Sequence, residues 1–482
     1  MEINPLQRLQ KIQNTEPEER LNPYQNLYGL KENPFPSLAL FTPSMDDPRR
    51  NGTIYDVEFR SDEEKRYFEL FVLPPTGDKP KELGFIRLDP QAGGRGNGKS
   101  AFLHHLMNRV NERQWNGWTT DLDNLQLSAL AVHLLPEPRK QKRFWQFVQL
   151  IFETFAEHEL FKKVDADFKA AMIIKLLPEA VINKLSALPN EEILNLLYSS
   201  EKFIALLSEN GISLQGYNEE ILRFLKSIAG EDLDQRFVQD FLTSNADLRS
   251  LWLTWKKDGI ADSAYLWRNH GAGWFLNGLV PVLIIARYNR LHILLDEFEK
   301  IYIYQSTKER EEFLDSMRQN FFERNSVAVR REFLSLILTT HPSIDRYLKT
   351  VWTRVGLDNL APLDPSRIAS LSIELGASSK QKLSHLLTTY IDYFRLDSQH
   401  QGTLYPFAEN ALDRAMDEAR YYPRGSIWYA HAILVKAASE SVPAPINSAY
   451  VETFIASGQK PATEDEDNLF VLPQSTTDLK AE

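Results

Sequence analysis

Residues Gly93–Ser100 read GGRGNGKS and lie between a short apolar segment and a segment with helical periodicity. The preceding segment, LGFIRLD (Leu83–Asp89), is typical of a buried parallel strand. The following segment, SAFLHHLMNRV, places one apolar stripe on a helix, formed by Phe102, Leu103, Leu106 and Val110. The order of strand, glycine-rich loop and helix predicts an α/β fold built on a parallel sheet.

The loop matches the pattern Gly-x-x-x-x-Gly-Lys-Ser/Thr without a mismatch. Glycines let consecutive backbone N–H groups surround phosphate oxygens, and the following helix adds the positive end of its dipole. Lys99 is expected to reach the β- and γ-phosphates of ATP, and the Ser100 hydroxyl to ligate Mg²⁺. The alternative is a mobile glycine-rich turn. The pattern predicts a phosphate-binding loop at Gly93, Gly94, Arg95, Gly96, Asn97, Gly98, Lys99, Ser100 and Ala101.

A second chemical signal is an acidic pair that ends the segment LHILLDEFEK, residues 291–300. Ile293, Leu294 and Leu295 predict a strand, and a carboxylate at its carboxyl end faces the crevice in which open α/β sheets bind ligands. Asp296 is therefore expected to hold Mg²⁺. Glu297 is expected to orient or deprotonate an attacking water. The alternative is a strand that ends in two solvated acids.

The composition of the 482 residues is ordinary for a globular protein, with 43% hydrophobic and 25% charged residues. The formal net charge of −11 argues against a surface that nucleic acid covers, and PRKQKR (138–143) is better interpreted as a solvated turn than as a basic patch. Cysteine is absent, which excludes disulfides and thiolate metal sites. The N-terminal residues lack a secretory signal, and the apolar stretch 273–286 is too short to span a bilayer, so a cytoplasmic location is expected.

The pattern along the chain predicts six parts. They are an N-terminal leader (1–80), the first part of the core (81–159), a helical insertion (160–272), the second part of the core (273–378), a compact helical segment (379–457) and a disordered acidic tail (458–482). Further core strands are expected at 128–136, 333–343 and 367–376. The stretch 273–286 is expected to be a buried helix.

This order of parts resembles the AAA+ superfamily of P-loop ATPases, in particular its origin-recognition, transposition-regulator and signalling branch. The resemblance implies a three-layer parallel-sheet core with a large helical insertion and a C-terminal helical lid. It also implies a polar sensor residue at the end of the strand that follows the acidic pair. Thr340 is the preferred position, and Thr339 and His341 are alternates.

The resemblance implies two functional arginines as well. Arg424, in YYPRGSIWYAHAIL, falls where the lid of the family carries an arginine that contacts the γ-phosphate. The family also uses an arginine finger from a neighbouring subunit, for which Arg346, Arg354 and Arg367 are candidates. Arg354 is preferred among them.

These expectations favour a Mg²⁺-dependent ATPase that assembles into a homo-oligomer, either a ring or a filament, and acts on a macromolecular partner. The helical insertion is the expected docking surface for a protein partner. A nucleotide-gated signalling scaffold with slow hydrolysis, of immune or phage-defence type, is one alternative. A DNA-associated loader or motor is another, although the overall charge does not support DNA binding.

Overall fold

The structure is a computed structural model that describes residues 22–43, 45–74, 78–88, 96–114, 128–257, 259–323, 326–340 and 342–459. The chain forms two compact units. The sheet unit comprises the described residues of Glu63–Arg87 and Leu106–Glu374. The terminal unit comprises the described residues up to Asp62, those of Leu88–His105 and those from Leu375 onward. Within the described ranges, no helix combines the length and the apolar character that crossing a membrane requires.

Five parallel strands form the sheet, which confirms the predicted α/β class. They are β1 (Leu83–Leu88), β2 (Ala129–Leu134), β3 (Arg290–Leu295), β4 (Leu334–Thr340) and β5 (Ser372–Leu375), in the spatial order β2-β3-β4-β1-β5. Leu295 on β3 pairs with Leu338 on β4, and Thr340 on β4 pairs with Arg87 on β1. Because these strands are parallel, β1, β3 and β4 end at the same edge of the sheet.

The last strand is shorter than the sequence predicts. Residues 367–371 form the end of a short helix and a 3₁₀ turn, and only Ser372–Leu375 are extended. The backbone N–H groups of Arg367 and Ile368 both donate to the carbonyl of Asp364, which begins this turn. Proline at the first helical position has its φ angle preset for a helix, and Pro365 takes that position here. The prediction of a strand from residue 367 is therefore wrong over its first half.

The helices of the described residues account for most of the chain. In chain order they are α1 (Pro23–Tyr28), α2 (Ser61–Tyr67), α3 (Lys99–Asn111), α4 (Phe144–Glu157), α5 (Leu160–Leu176), α6 (Glu179–Ser186), α7 (Asn190–Tyr198), α8 (Ser200–Glu209), α9 (Leu214–Ala229), α10 (Gln235–Thr243), α11 (Leu248–Lys257), α12 (Gly259–Trp274), α13 (Val280–Ile285), α14 (Phe298–Ile303), α15 (Thr307–Arg318), α16 (Val327–Arg330), α17 (Pro342–Arg354), α18 (Pro365–Ile368), α19 (Lys380–Phe394), α20 (Asp413–Glu418), α21 (Pro423–Ser439) and α22 (Ser448–Ala456). Short π-helical turns follow α2 (Phe68–Val72), α12 (Phe275–Leu279) and α15 (Gln319–Glu323), and 3₁₀ turns lie at Gly230–Asp232, Leu357–Asn359 and Ala369–Leu371.

The helical insertion packs into the same hydrophobic core as the sheet. Phe161 and Phe168 on α5 belong to one buried cluster with Leu130 and Val132 on β2. The stretch 273–286, predicted to be a buried helix, forms the π-helical turn and α13, and α13 packs against α5 and α9. The segment PRKQKR contains a turn before α4, and its Arg143 lies 3.5 Å from Glu309. The insertion is therefore an integral part of the sheet unit.

The terminal unit has its own hydrophobic core, which the N-terminal segment (residues 22–62) shares with helices α19 to α22. Tyr28, Leu30 and Phe35 are buried against Leu387 on α19 and Ile433 on α21. The Tyr28 hydroxyl donates to the carbonyl of Val442 at 2.9 Å. The sequence pattern separates a leader from a C-terminal helical segment, whereas the structure places residues from both in one core. The predicted acidic tail lies outside the described residues, apart from 458 and 459.

An ion pair between Asp56 and His385 ties the N-terminal segment to α19 and makes the terminal unit sensitive to pH. The carboxylate of Asp56 is buried and lies 2.7 Å from Nδ1 of His385. The hydrogen bond to Asp56 raises the pKa of His385. The pair therefore stabilises the fold fully when the pH is below about 6.5, the pKa of His385 in the unfolded chain. This stabilisation is lost as the pH rises through the higher pKa that His385 has in the folded protein.

We expect Asp56→Asn to lower the pKa of His385 toward its ordinary value, because the amide carries no charge. A ¹H–¹⁵N NMR titration of the His385 ring measures this directly. In the wild type, the free energy of unfolding should fall between about pH 6.5 and the pKa of His385 in the folded protein. Asp56→Asn should remove this fall. An unchanged pKa of His385 in the variant would contradict this role of Asp56.

Candidate functional site

The described part of the glycine loop runs directly into α3. Gly96 and Gly98 have positive φ angles of 93° and 75°, and Lys99 and Ser100 are the first two residues of the helix. The carbonyl of Gly98 accepts the N–H of Phe102 at 2.9 Å, which begins the helical hydrogen-bond pattern. The first turn of α3 contains no acidic residue, so no carboxylate there neutralises the positive end of the helix. The predicted positions Gly93, Gly94 and Arg95 lie outside the described residues.

Gly96 is in direct contact with Arg424 at the start of α21. The carbonyl of Gly96 accepts the backbone N–H of Arg424 at 3.1 Å. A Cβ atom on Gly96 would lie 2.6 Å from Cβ of Arg424 and 2.9 Å from its Cδ. The arginine that the AAA+ resemblance selects therefore lies beside the glycine loop, within the terminal unit.

The close approach at Gly96 leads to a prediction with an internal control. Alanine at Gly96 or at Gly98 must adopt a positive φ angle, but a Cβ atom at Gly98 meets nothing within 4 Å. We expect Gly96→Ala to destabilise the terminal unit by about 1–3 kcal/mol more than Gly98→Ala, because only the first variant overpacks against Arg424. Hydrogen exchange of the α21 amides measures the difference. Equal destabilisation by the two substitutions would contradict the contact.

Asn97 makes further contacts that hold the glycine loop in place. The residue is 1% exposed, and its Nδ2 donates to the carbonyl of Leu375 at 3.1 Å. Its own carbonyl accepts a hydrogen bond from the guanidinium of Arg60 at 3.0 Å. The structure thus gives the loop two further anchors, one at the end of β5 and one in the N-terminal segment.

The acidic pair lies at the carboxyl end of β3, in the sheet unit. Asp296 is fully buried, and its backbone N–H donates to the carbonyl of Leu134 on β2 at 3.0 Å. Its Oδ1 accepts the hydroxyl of Thr339 at 2.9 Å and the backbone N–H of Glu297 at 2.8 Å. Three neighbouring strands therefore fix the position of this carboxylate.

Glu297 follows in a left-handed conformation, with a φ angle of 48°, and immediately precedes α14. A positive φ angle is unfavourable for a residue with a side chain, and such conformations occur often at functional sites. The backbone N–H of Glu297 also donates to Oγ1 of Thr339, at 2.7 Å. Its carboxylate is partly exposed and pairs with Lys300, one turn further along α14.

Two of the three sensor candidates, Thr339 and Thr340, are the last residues of β4. Thr339 is buried and contacts both members of the acidic pair. Thr340, the preferred candidate, is also buried, but successive side chains of a strand point to opposite faces of the sheet. His341 lies outside the described residues. Of the two described candidates, Thr339 is the one whose hydroxyl bonds Asp296.

His133 and Arg60 are two site neighbours that sequence reasoning missed. Nε2 of His133, a buried residue on β2, lies 3.7 Å from Oδ2 of Asp296. His133 is a polar residue inside the apolar run ALAVHL, and this was the available signal. Arg60 gives no local signal, because its partner in the glycine loop is far away in sequence.

The candidate finger arginines take different positions. Arg354 ends α17 with a side chain that is 58% exposed, and it pairs with Glu311 on α15. Arg367 is exposed on the short helix α18. Arg346 belongs to α17. The side chains of Arg354 and Arg367 are thus both exposed.

Asp296 supplies carboxylate oxygens, the kind of ligand that a hard divalent cation prefers. Oδ1 is occupied by two hydrogen bonds, and Oδ2 lies beside a histidine ring. Among the described residues, no group of three or more His, Asp or Glu side chains could hold a metal ion. Mg²⁺ typically binds through one or two protein oxygens together with substrate phosphates and water, so a single fixed carboxylate suits it better than zinc or calcium.

The comparisons of the chain with known proteins gave no relative. No protein-family model, no curated protein and no solved structure matches it.

Proposed function

We propose that the protein is a Mg²⁺-dependent P-loop ATPase of AAA+ type, which couples ATP binding and hydrolysis to action on a macromolecular partner. One observation carries this proposal. In a parallel sheet with β4 between β1 and β3, β3 ends in a buried aspartate that a hydroxyl of β4 orients, and the glycine loop follows β1.

The order of the strands supports a ligand site at this edge. From β1 the chain crosses to β2 at the far side of the sheet, returns through β3 to β4, and then passes over β1 to β5. The connection that leaves β1 therefore runs toward β2, and the connection that leaves β4 runs the other way, toward β5. The direction of the connections reverses at the boundary between β4 and β1. Such a switch point, at the carboxyl ends of the strands, is where open α/β sheets bind their ligands.

In the proposed mechanism, the glycine loop binds the phosphates of ATP through its backbone N–H groups. Lys99 would supply a positive charge to the β- and γ-phosphates, and the Ser100 hydroxyl and Asp296 would hold Mg²⁺. When bound there, Mg²⁺ would supply positive charge against the negative charge of the phosphates. Thr339 keeps Asp296 in one orientation by donating its hydroxyl hydrogen to Oδ1.

Glu297 is the proposed catalytic base. Its carboxylate orients a water molecule for attack on the γ-phosphate and accepts the proton that this water loses. The backbone N–H of Glu297 donates to both Asp296 and Thr339. The same hydrogen bonds therefore hold the proposed metal ligand, Asp296, and the proposed base, Glu297. The ion pair with Lys300 must open, or move with the carboxylate, when water is bound.

Helices α19 to α22 are the proposed lid, with Arg424 as its nucleotide-sensing arginine. The contact between Arg424 and Gly96 supports this assignment. A cation at this place can stabilise negative charge on the γ-phosphate and transmit the nucleotide state to the lid. The residue in the sensor position of β4, Thr339 or Thr340, would act on the same nucleotide.

The proposal extends to assembly and partners. We propose a cytoplasmic homo-oligomer in which Arg354 reaches the nucleotide of a neighbouring subunit. The helical insertion is the proposed docking surface for a protein partner. Two large apolar side chains of the insertion are exposed, Ile174 to 63% and Tyr265 to 66%.

Phosphate release from ATP tests the proposed function, combined with mass photometry in ATP, in ADP and without nucleotide. We expect turnover that requires Mg²⁺ and an oligomer that forms in ATP. Assembly in ATP with negligible turnover would favour a nucleotide-gated scaffold. Neither turnover nor nucleotide-dependent assembly would contradict the proposal.

A further inference from the structure

Two consecutive peptide groups of the glycine loop are held by residues far away in sequence. The carbonyl of Gly96 accepts the backbone N–H of Arg424 at 3.1 Å, and the carbonyl of Asn97 accepts the guanidinium of Arg60 at 3.0 Å. All four residues belong to the terminal unit. The loop carbonyls are therefore fixed by two arginines, one through its backbone and one through its side chain.

These bonds also determine where the N–H groups of the loop point. In a planar trans peptide, the C=O and the N–H of the same peptide group point in opposite directions. A donor that holds the carbonyl of Asn97 therefore turns the N–H of Gly98 the other way. In the same manner, the bond to the carbonyl of Gly96 orients the N–H of Asn97. Among the described residues, neither of these N–H groups donates a hydrogen bond to the protein.

Arg60 itself is firmly held. It is 5% exposed, its guanidinium lies 4.8 Å from the centre of the Phe59 ring, and it also donates to the carbonyl of Gly376 at 3.4 Å. A planar guanidinium can bond two carbonyls in a fixed geometry, whereas a lysine amine is a flexible point charge. The N-terminal segment thus supplies a rigid donor behind the loop.

We propose that Arg60 is a positioning residue for phosphate binding, which acts by fixing the peptide group between Asn97 and Gly98 so that its N–H faces the phosphates. This inference rests on the proposed nucleotide-binding function of the loop. It makes the N-terminal segment a functional part of the nucleotide site.

The inference has a kinetic signature. The N–H of Gly98 would contact phosphate oxygens in the substrate and in the transition state alike. Loss of this contact therefore weakens the binding of both states equally, which is a loss of uniform binding. Loss of uniform binding raises KM and leaves kcat nearly unchanged. A variant that is merely less stable would instead lower the active fraction, and hence the apparent kcat, without raising KM.

The experiment compares Arg60→Met, Arg60→Lys and the control Arg50→Met. Arg50 is an arginine of the same segment whose Nε donates to the carbonyl of Leu40 at 3.0 Å. We expect Arg60→Met to weaken Mg²⁺-ATP and Mg²⁺-ADP binding by about 10-fold, and to raise KM by a similar factor. Arg60→Lys should recover part of the affinity, and Arg50→Met should match the wild type.

Hydrogen exchange of residues 96–103 without nucleotide gives a second readout, which does not depend on ATP binding. Faster exchange in Arg60→Met, together with the rise in KM, supports the inference. Unchanged exchange and affinity in Arg60→Met would overturn it, even if Lys99→Ala still loses ATP binding. If the folded wild type binds no nucleotide, the proposed function fails as well.

Discussion

Lys99→Ala is expected to weaken the binding of Mg²⁺-ATP by about 100-fold, because it removes a full positive charge from the β- and γ-phosphates. Turnover should fall to background at physiological ATP concentrations. Isothermal titration calorimetry of the purified protein measures the affinity, and phosphate release measures the rate.

The control for this substitution is Lys382→Ala. Lys382 also lies in the first turn of a helix of the terminal unit, α19, and its amine pairs with Asp62 at 2.9 Å. We expect this variant to bind ATP like the wild type. Equal affinity in Lys99→Ala and the wild type would rule out the loop as the phosphate site.

Glu297→Gln is expected to lower kcat by about 10²- to 10⁴-fold, the usual contribution of a positioned general base. ATP binding should remain close to that of the wild type, because the amide keeps the size of the side chain and the backbone N–H keeps its bonds to Asp296 and Thr339. The variant should therefore accumulate as an ATP-bound oligomer, which mass photometry and single-turnover kinetics can detect.

Lys300→Gln separates catalysis from the loss of an ion pair. It breaks the same pair between Glu297 and Lys300 but leaves the carboxylate in place. We expect its kcat to stay within a few-fold of the wild type. If the two variants lose turnover equally, Glu297 acts through its ion pair and is not the base.

The sequence was sufficient for the parts of the fold that have local signals. The strand β1, the glycine loop and α3 follow from an apolar run, clustered glycines and helical periodicity within residues 83–110. The acidic pair at the end of β3 has a comparable signal, because an apolar run ends abruptly in two carboxylates. The buried stretch 273–286 could be predicted because its length is too great for a loop and too small for a membrane helix.

The choice between Thr339 and Thr340 required information that is not local. Which threonine faces Asp296 depends on the adjacency of β3 and β4 and on their register, with Leu295 opposite Leu338. A shift of one residue would exchange the two side chains. The sequence identified the end of the strand but not the face of the sheet.

The role of the N-terminal segment was beyond sequence reasoning for a related reason. Leu30 and Phe35 lie outside any helix or strand and show no periodicity, and Tyr28 ends a helix of only 6 residues. Their burial comes from contacts with helices that lie more than 300 residues later in the chain. The role of Arg60 also could not be predicted from the sequence, because its hydrogen bond to Asn97 depends on tertiary packing alone.

The most direct test of the account is the Mg²⁺ dependence of ATP affinity in the wild type and in Asp296→Asn. If the loop and the acidic pair act on one nucleotide, Mg²⁺ should tighten ATP binding to the wild type by about 10-fold or more, and this gain should vanish in Asp296→Asn. Asp315→Asn, which changes a surface ion pair of α15, should retain the gain. An undiminished effect of Mg²⁺ in Asp296→Asn would contradict the central claim.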